Sequence, residues 1–596
     1  MKAALTFLAV ALAAGPALAA PALSTAHDPL AFGPDRVSPG VLVPARHGMV
    51  VSAQHLASDT GAKILAQGGN AIDAAVAVGY ALAVVYPAAG NIGGGGFMTI
   101  RLKTGQTVFV DFREHAPGAA TETMYQDASG HVVPGLSTEG WKAVAVPGTV
   151  AGLDTILTKW GSLPRTKVMG PAITLARDGF VLNDGDAQLL HTSTRYFQKD
   201  PYARSFYLHA DGTPLQAGDR LVQKDLARTL DLIARKGAKA FYEGPVAAEI
   251  IRASQEGGGL LKTPDFTNYH IRYLDPIRCV YRGYTVDTAP PPSGGGVAVC
   301  EILNILSGYD MKALGLHSAS ATQREIEAMR HAYSDRRDLG DPAFVQNPIQ
   351  HLTDPVYAYQ IRRGIPLDHA LSSGTLRSGE PLPAQTAQAT PDTQEKHETT
   401  QFSVMDRSGM AVSATYTLNG WFGSGVMGGH TGVWLNDEMD DFSSKPGEPN
   451  MFGIVGSKAN AIAPGKTPLS SMSPTIVSRN GRTVMVIGSP GGSRIPTITL
   501  SAILGVIDYG LDIRQAIDLP RIHEQWEPSA VEIEPGALTD DTLRILQSEG
   551  YAFSLHKPWG VAEGILAGRP NLSVRETGLL YGAADPRHAG GSAVGE

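Results

Sequence analysis

The residues with the clearest chemical potential begin at Thr399. In the run that follows, Phe402 and Val404 share one parity while Thr399, Gln401 and Ser403 share the other, as in a half-buried strand. A second run repeats the pattern, with Val412, Tyr416 and Leu418 alternating against Ser413, Thr415, Thr417 and Asn419. Directly opposed residues of a hairpin share a face, so the polar positions of the two runs must meet. A two-residue loop would pair odd with even positions. A three-residue loop, Arg407-Ser408-Gly409 with the glycine left-handed, pairs Thr399 with Thr417 and puts Asn419 one step further on the same face. Cutting the peptide bond between Glu398 and Thr399 would create an α-amine beside the Thr399 hydroxyl. An unperturbed α-amine titrates at about 7.7 to 8.0, so part of it is neutral and can act as a base near pH 7. An ordinary threonine-rich strand would show the same alternation.

Other polar groups recur at the ends of strand-like runs. Arg113 follows the runs 97–102 and 107–112, where it is either a solvated charge or a planar, bidentate grip for a carboxylate. Residues 432–436 read as a strand leading into Asp437-Glu438-Met439-Asp440-Asp441, four acids in five positions. Asp437 and Asp440 are read as part of a solvated turn; paired carboxylates here could also hold an ammonium group. The strand-like run 483–487 ends at Gly488-Ser489-Pro490-Gly491-Gly492-Ser493-Arg494, and a helix-like run 496–507 follows. Such a turn can aim successive backbone N–H groups at an anion. The glycines at 93–96 lack the spacing and the following Lys-Ser/Thr of a phosphate-binding loop. There is no His-Glu-x-x-His, Cys-x-x-Cys or Gly-x-Ser-x-Gly, so neither a metal nor another cofactor is expected.

Helices and strands must hold these groups in place. Residues 53–86 read as two helices, the second nearly all apolar from 71 to 85 and therefore buried. Helices dominate 150–253, residues 275–287 return to strand, and helices follow at 297–306 and 321–336. Residues 366–398, with four prolines among polar residues, read as an exposed linker, which gives a newly cut chain end room to move away. At 596 residues, length alone suggests about four domains, but no break in composition marks them. A net charge of −8 offers no basic surface for nucleic acid. Met1, Lys2, an apolar run and Ala17-Leu18-Ala19 form a secretory signal peptide over 1–19, and no later run is long enough for stable membrane insertion. Cys279 and Cys300 are the sole cysteines, either paired or separately buried.

The segments from Thr399 to Val404, Thr415 to Asn419, Asp440-Asp441-Phe442-Ser443, Pro468 to Thr475 and Gly488 to Arg494 together resemble the γ-glutamyltranspeptidase family. Upstream, Gly68 to Ala75, Gly90 to Phe97, Asp111-Phe112-Arg113-Glu114, Val146 to Gly152 and Pro290-Pro291-Pro292-Ser293-Gly294-Gly295 resemble it in the same order, so the likeness covers nearly everything after residue 40. The resemblance implies an α/β fold, the four-layer αββα sandwich of the N-terminal-nucleophile hydrolases, built jointly by a large chain (20–398) and a small chain (399–596). It implies a self-cleaving zymogen, exported to the periplasm, that splits the γ-glutamyl amide of glutathione and related compounds. The acyl group would pass to water, an amino acid or a peptide. The family's roles fall on Thr399 as nucleophile with Thr417 beside it, and on Gly491 and Gly492 for the oxyanion. Arg113, Ser470 and Ser471 would take the α-carboxylate, and Asn419, Glu438 and Asp441 the α-amine. Residues 446–466 would form a lid, in which Phe452 replaces the tyrosine common in lid-bearing bacterial members. Two alternatives are a glutaryl-type β-lactam side-chain acylase of the same family and an unprocessed, inactive binding protein. The acylase would not need three groups for an α-amine.

Overall fold

The computed structural model describes residues 39–380, 399–568 and 578–596. The signal peptide, residues 381–398 of the linker and Glu398 lie outside the described residues. Two seven-stranded sheets stack face to face. The first orders its strands Ser592–Gly595, Gly48–Ser52, Thr400–Asp406, Ala411–Thr417, Gly95–Arg101, Thr107–Asp111 and Arg272–Leu274. The second orders Val43–Ala45, Leu580–Ala584, Glu563–Ala567, Arg482–Ile487, Thr475–Arg479, Tyr284–Thr288 and Ile277–Tyr281. Helices cover both outer faces. His55–Ala66 and Ala71–Val85 share a core with Phe402, Val404, Val412 and Tyr416 of the first sheet. Gly295–Leu306 and Ile495–Ile507 share another with Val477, Met485 and Ile487 of the second. The result is the αββα sandwich.

Local sequence explains why the central helix forms where it does. The Asn70 side chain accepts from the N–H groups of Ile72 and Asp73, and the Asp73 carboxylate accepts from Asn70 N, so both partners of a capping box start the helix. Every residue from Ala71 to Val85 is buried, as its composition demands. The helix then feeds the glycine run, whose use is close approach. A Cβ on Gly94 would lie 2.0 Å from the Thr417 carbonyl oxygen and one on Gly96 2.4 Å from Tyr416 Cβ. Thus the strand Gly95–Arg101 can lie directly against the strand that ends at Thr417.

The hairpin has the expected register. Thr400 pairs with Tyr416 and Met405 with Ala411, which carries Thr399 opposite Thr417 one step earlier. Gly409 closes the loop at φ +82 and donates to the Asp406 carbonyl. The half-buried reading needs correction, because both strands are buried throughout. Their polar face meets the second sheet, not water, and its hydroxyls are satisfied there. Ser403 donates to the Glu563 carbonyl at 2.7 Å and Ser413 to the Ile487 carbonyl at 2.9 Å.

Three further expectations change. Residues 432–436 form no named strand, only a bridge between Met427 and Trp434, because the Asn436 side chain binds Gly93 and Ala145 instead of extending a ladder. The linker's described part, 366–380, is tied down: Leu376 is buried and Ser373 O accepts the Trp526 indole N–H at 2.9 Å. Asp437 and Asp440 are buried, not solvated. Asp437 accepts from Gly420 N at 2.7 Å, and Asp440 accepts from the Ser137 hydroxyl and Met451 N. Of the two alternatives for the cysteines, the pair is present: Cys279 and Cys300 are joined by a disulfide. No helix among the described residues is long and apolar enough to cross a membrane.

Candidate active site

Thr399 stands at the mouth of the central strand, 4% exposed, with its Oγ1 3.3 Å from Thr417 Oγ1. Thr417 Oγ1 also accepts from Asn419 N at 2.8 Å. The strand ends there because Asn419 adopts φ +76, a left-handed conformation that asparagine tolerates. That turn carries the Asn419 amide over the acidic segment, where it donates to the Asp437 carbonyl at 3.1 Å. Gly491 and Gly492 have φ +140 and +54, so the turn after Ile487 is one that only glycine adopts freely.

Thr399, Thr417, Asn419 and Gly492 line one cavity of about 20 Å³. Arg113, Glu438 and Asp441 close one end of it, and Ser470 and Ser471 line it further along. Of the residues expected to take part, Gly491 alone does not line the cavity, and Glu398 lies outside the described residues. The volume suits little more than a water molecule, so anything larger must displace a wall.

At the first end, the three charged groups already satisfy one another. Arg113 is fully buried, 2.5 Å from Glu438 Oε1, and hydrogen-bonded to Asp441. Burial opposes the arginine's charge, but Glu438, Asp441 and Glu114 outweigh it and raise its pKa. A third acid, Glu114, was not singled out from the sequence for any role. It is buried against Glu438, and burial pushes its carboxyl up to about 8. Neither Glu114 oxygen has a hydrogen-bond donor among the described residues, and ionising both buried carboxyl groups together is unfavourable. Glu438, Asp441 and Asp437 are also raised, chiefly by burial, and Asp440 is pushed up to about 6 by burial.

The serine end differs in kind. Ser470 Oγ accepts from Met472 N at 3.1 Å. Ser471 Oγ accepts at 2.8 Å from Arg336, a second buried arginine that also lines the cavity and had no expected role. Above lies the segment 446–466. Its Asn450 donates to Asp441 at 3.3 Å, and Met451 Sδ sits 3.4 Å from Asn419 Nδ2. Phe452 packs on the glycine turn, where a Cβ on Gly492 would come within 2.5 Å of its ring.

Stacked antiparallel sheets between helical layers, with a threonine opening a central strand, define an N-terminal-nucleophile hydrolase. The chain belongs to the γ-glutamyltranspeptidase family, whose model matches residues 57–595. A glutathione hydrolase proenzyme from a Pseudomonas species is 53% identical over 556 residues, covering 93% of this chain and 95% of the relative. The glutathione hydrolase proenzyme of Escherichia coli is 45% identical over 546 residues, or 91% of each chain. Among solved structures, a cephalosporin acylase from Bacillus halodurans superposes with a TM-score of 0.80 at 26% identity, covering 96% of this chain and 99% of that one.

Proposed function

We propose that the protein is an exported, self-cleaving γ-glutamyl hydrolase and transferase acting on glutathione and related γ-glutamyl amides. The observation that carries this reading is the cavity in which the Thr399 hydroxyl shares its walls with a buried arginine, two acids and two serines. In the uncleaved chain the Thr399 nitrogen is an amide and cannot serve as a base. Processing begins when Thr399 Oγ1, beside Thr417, attacks the Glu398 carbonyl carbon; the Glu398–Thr399 C–N bond breaks, and the hydroxyl proton ends on the released Thr399 amine. The resulting ester is hydrolysed, leaving residues 20–398 and 399–596 as two subunits. Each sheet contains strands of both pieces, which keeps them together as a heterodimer after the cut. The signal peptide assigns the mature protein to the periplasm.

The freed amine then takes the Thr399 hydroxyl proton as Oγ1 attacks the donor's γ-carbonyl. Gly491 and Gly492 N–H groups stabilise the oxyanion, and the proton passes to the departing amine. Water or an acceptor amine next cleaves the γ-glutamyl ester and returns the proton to Thr399. Recognition follows from the ion pairs in the closed cavity. A donor's α-carboxylate takes Arg113 with Ser470 and Ser471, while its α-ammonium replaces Arg113 at Glu438 and Asp441, with Asn419. Such an exchange leaves Arg113, Glu438 and Asp441 each facing an opposite charge. A glutaryl group would draw Arg113 away and offer the two acids nothing, which weighs against the acylase reading. Phe452 and its segment must open for this exchange to occur.

Intact mass and N-terminal sequencing of wild type and Thr399→Ala, followed by turnover of a γ-glutamyl anilide, test the reading. Two chains, the smaller starting at Thr399, with turnover in wild type alone, are expected. A single chain in wild type, turnover by Thr399→Ala, or preference for a glutaryl anilide would overturn it.

A further inference from the structure

Arg336 is a buried cation that touches no acid among the described residues: Asp441, which lines the same cavity, acts on it only through space, and burial still lowers its pKa. It ends the helix Ala319–Arg336, is 4% exposed, and forms no ion pair among the described residues. Its Nη2 donates to neutral oxygens, Ser471 Oγ at 2.8 Å and the Ser470 carbonyl at 3.2 Å, while its Nε has no partner. A charge desolvated to this degree and only partly offset is costly unless something that binds there compensates it. The cavity it lines is the one holding Thr399.

The hydrogen-bond directions around the serines matter equally. Ser471 Oγ accepts from Arg336 and Ser470 Oγ accepts from Met472 N, and neither hydroxyl donates to another described residue. Both hydroxyl hydrogens are therefore left for an acceptor in the cavity. The Pro290-Pro291-Pro292-Ser293-Gly294-Gly295 stretch, which the catalytic roles leave unused, supports this arrangement from behind. Ser470 N donates to the Pro292 carbonyl and Gly294 N to the Ser470 carbonyl, at 2.8 and 2.9 Å. Ser293 Oγ donates to the Met472 carbonyl at 2.7 Å. Two glycines then make room: a Cβ on Gly294 would lie 2.7 Å from Arg336 Cγ, and one on Gly295 would lie 2.2 Å from the Ser471 carbonyl oxygen.

We propose that Arg336 is the positioning and specificity residue for the donor's α-carboxylate: it fixes Ser471 as a donor toward that carboxylate and contributes a buried positive charge, only partly offset by Asp441, to the cavity that receives it. This rests on the γ-glutamyl reading of the site. It divides the labour between two arginines, with Arg113 exchanging partners when substrate enters and Arg336 supplying a standing field.

The test compares mature wild type with Arg336→Met, which retains the aliphatic stem against Gly294. KM and kcat are measured with a γ-glutamyl anilide, and inhibition constants with glutarate, which lacks the α-amine, and 4-aminobutyrate, which lacks the α-carboxylate. Loss of a charge-assisted contact should raise KM and the glutarate constant by about 10-fold or more, with 4-aminobutyrate changed less than about twofold. kcat should fall far less than KM rises. Should Arg336→Met not mature, Arg336→Lys carries the test: the charge remains but the fork is lost, and the same two constants should rise by about threefold, 4-aminobutyrate again being spared. Equal weakening of all three ligands, or a fall in kcat at constant KM, overturns the inference while leaving the γ-glutamyl reading intact. Wild type that ignores the γ-glutamyl anilide defeats the reading itself.

Discussion

The two ends of the cavity bury arginines in opposite ways. Arg113 lies between Glu438 and Asp441, with Glu114 close by, so its charge is matched before any ligand arrives. Arg336 leans on two serines and makes no ion pair among the described residues, Asp441 offsetting it only from a distance. Breaking a matched pair strands buried carboxylates, whereas removing an unmatched cation strands no charge. One arginine is therefore expected to support the folded state through its ion pairs, while the other, without one, is expected to contribute little to stability.

The sharpest way to break this comparison is to make the same substitution at both ends. Arg113→Met should destabilise the mature protein by about 3–5 kcal/mol, while Arg336→Met should stay within about 1 kcal/mol of wild type or gain slightly. Denaturant unfolding measures both, and equal losses would show that the two arginines are not different in kind. Next in size is a rescue. Adding Glu438→Gln to Arg113→Met removes one stranded acid and should recover about 1–3 kcal/mol, whereas added to Arg336→Met it should be additive within about 0.5 kcal/mol. Rescue at both ends, or at neither, would contradict the assignment of partners.

The pH dependence of stability tests the acids themselves. Folding raises the Glu114 pKa from its ordinary 4.5 to about 8, so the native protein holds a proton that the unfolded chain has lost. This contribution is complete below about pH 4.5 and is lost as the pH rises through about 8, with Glu438, Asp441 and Arg113 as its neighbours. Glu114→Gln should flatten the decline over that window; an unchanged slope would mean that folded Glu114 does not keep its proton there. The smallest effect belongs to the lid. Phe452→Tyr adds one hydroxyl near Asn419 and Met451 and should shift the ratio of transfer to hydrolysis by no more than about fivefold, the worth of one hydrogen bond. A larger change, or a comparable change in donor KM, would mean that the lid sets donor binding and not acceptor access.

Much of the arrangement around Thr399 was legible in the sequence. Alternation and one glycine-bearing loop fixed the pairing of Thr399 with Thr417, because side chains alternate strictly along a strand and the loop length sets the register. Composition alone located the buried helix Ala71–Val85. Glu114 and Arg336 were not legible as site residues. Each lies beside or within a motif that could be read, but neither the packing of Glu114 against Glu438 nor the placing of Arg336 behind Ser471 leaves a local periodic trace. Asp437 and Asp440 looked like a solvated turn because acids usually are solvated, and their burial depends on partners such as Gly420, Ser137 and Met451.

What the sequence determined by itself were the local quantities: strand phase, turn type, helix starts, and the residue types that a nucleophile and its substrate clamps require. What tertiary structure alone decided was which charges meet. Arg113 and Asp441 are 328 positions apart, and Arg336 and Ser471 are 135 apart. Whether a buried arginine is neutralised or left to bind an anion depends on those distant neighbours, because desolvation and Coulomb energy are set by what surrounds a charge in space and not by what precedes it in the chain.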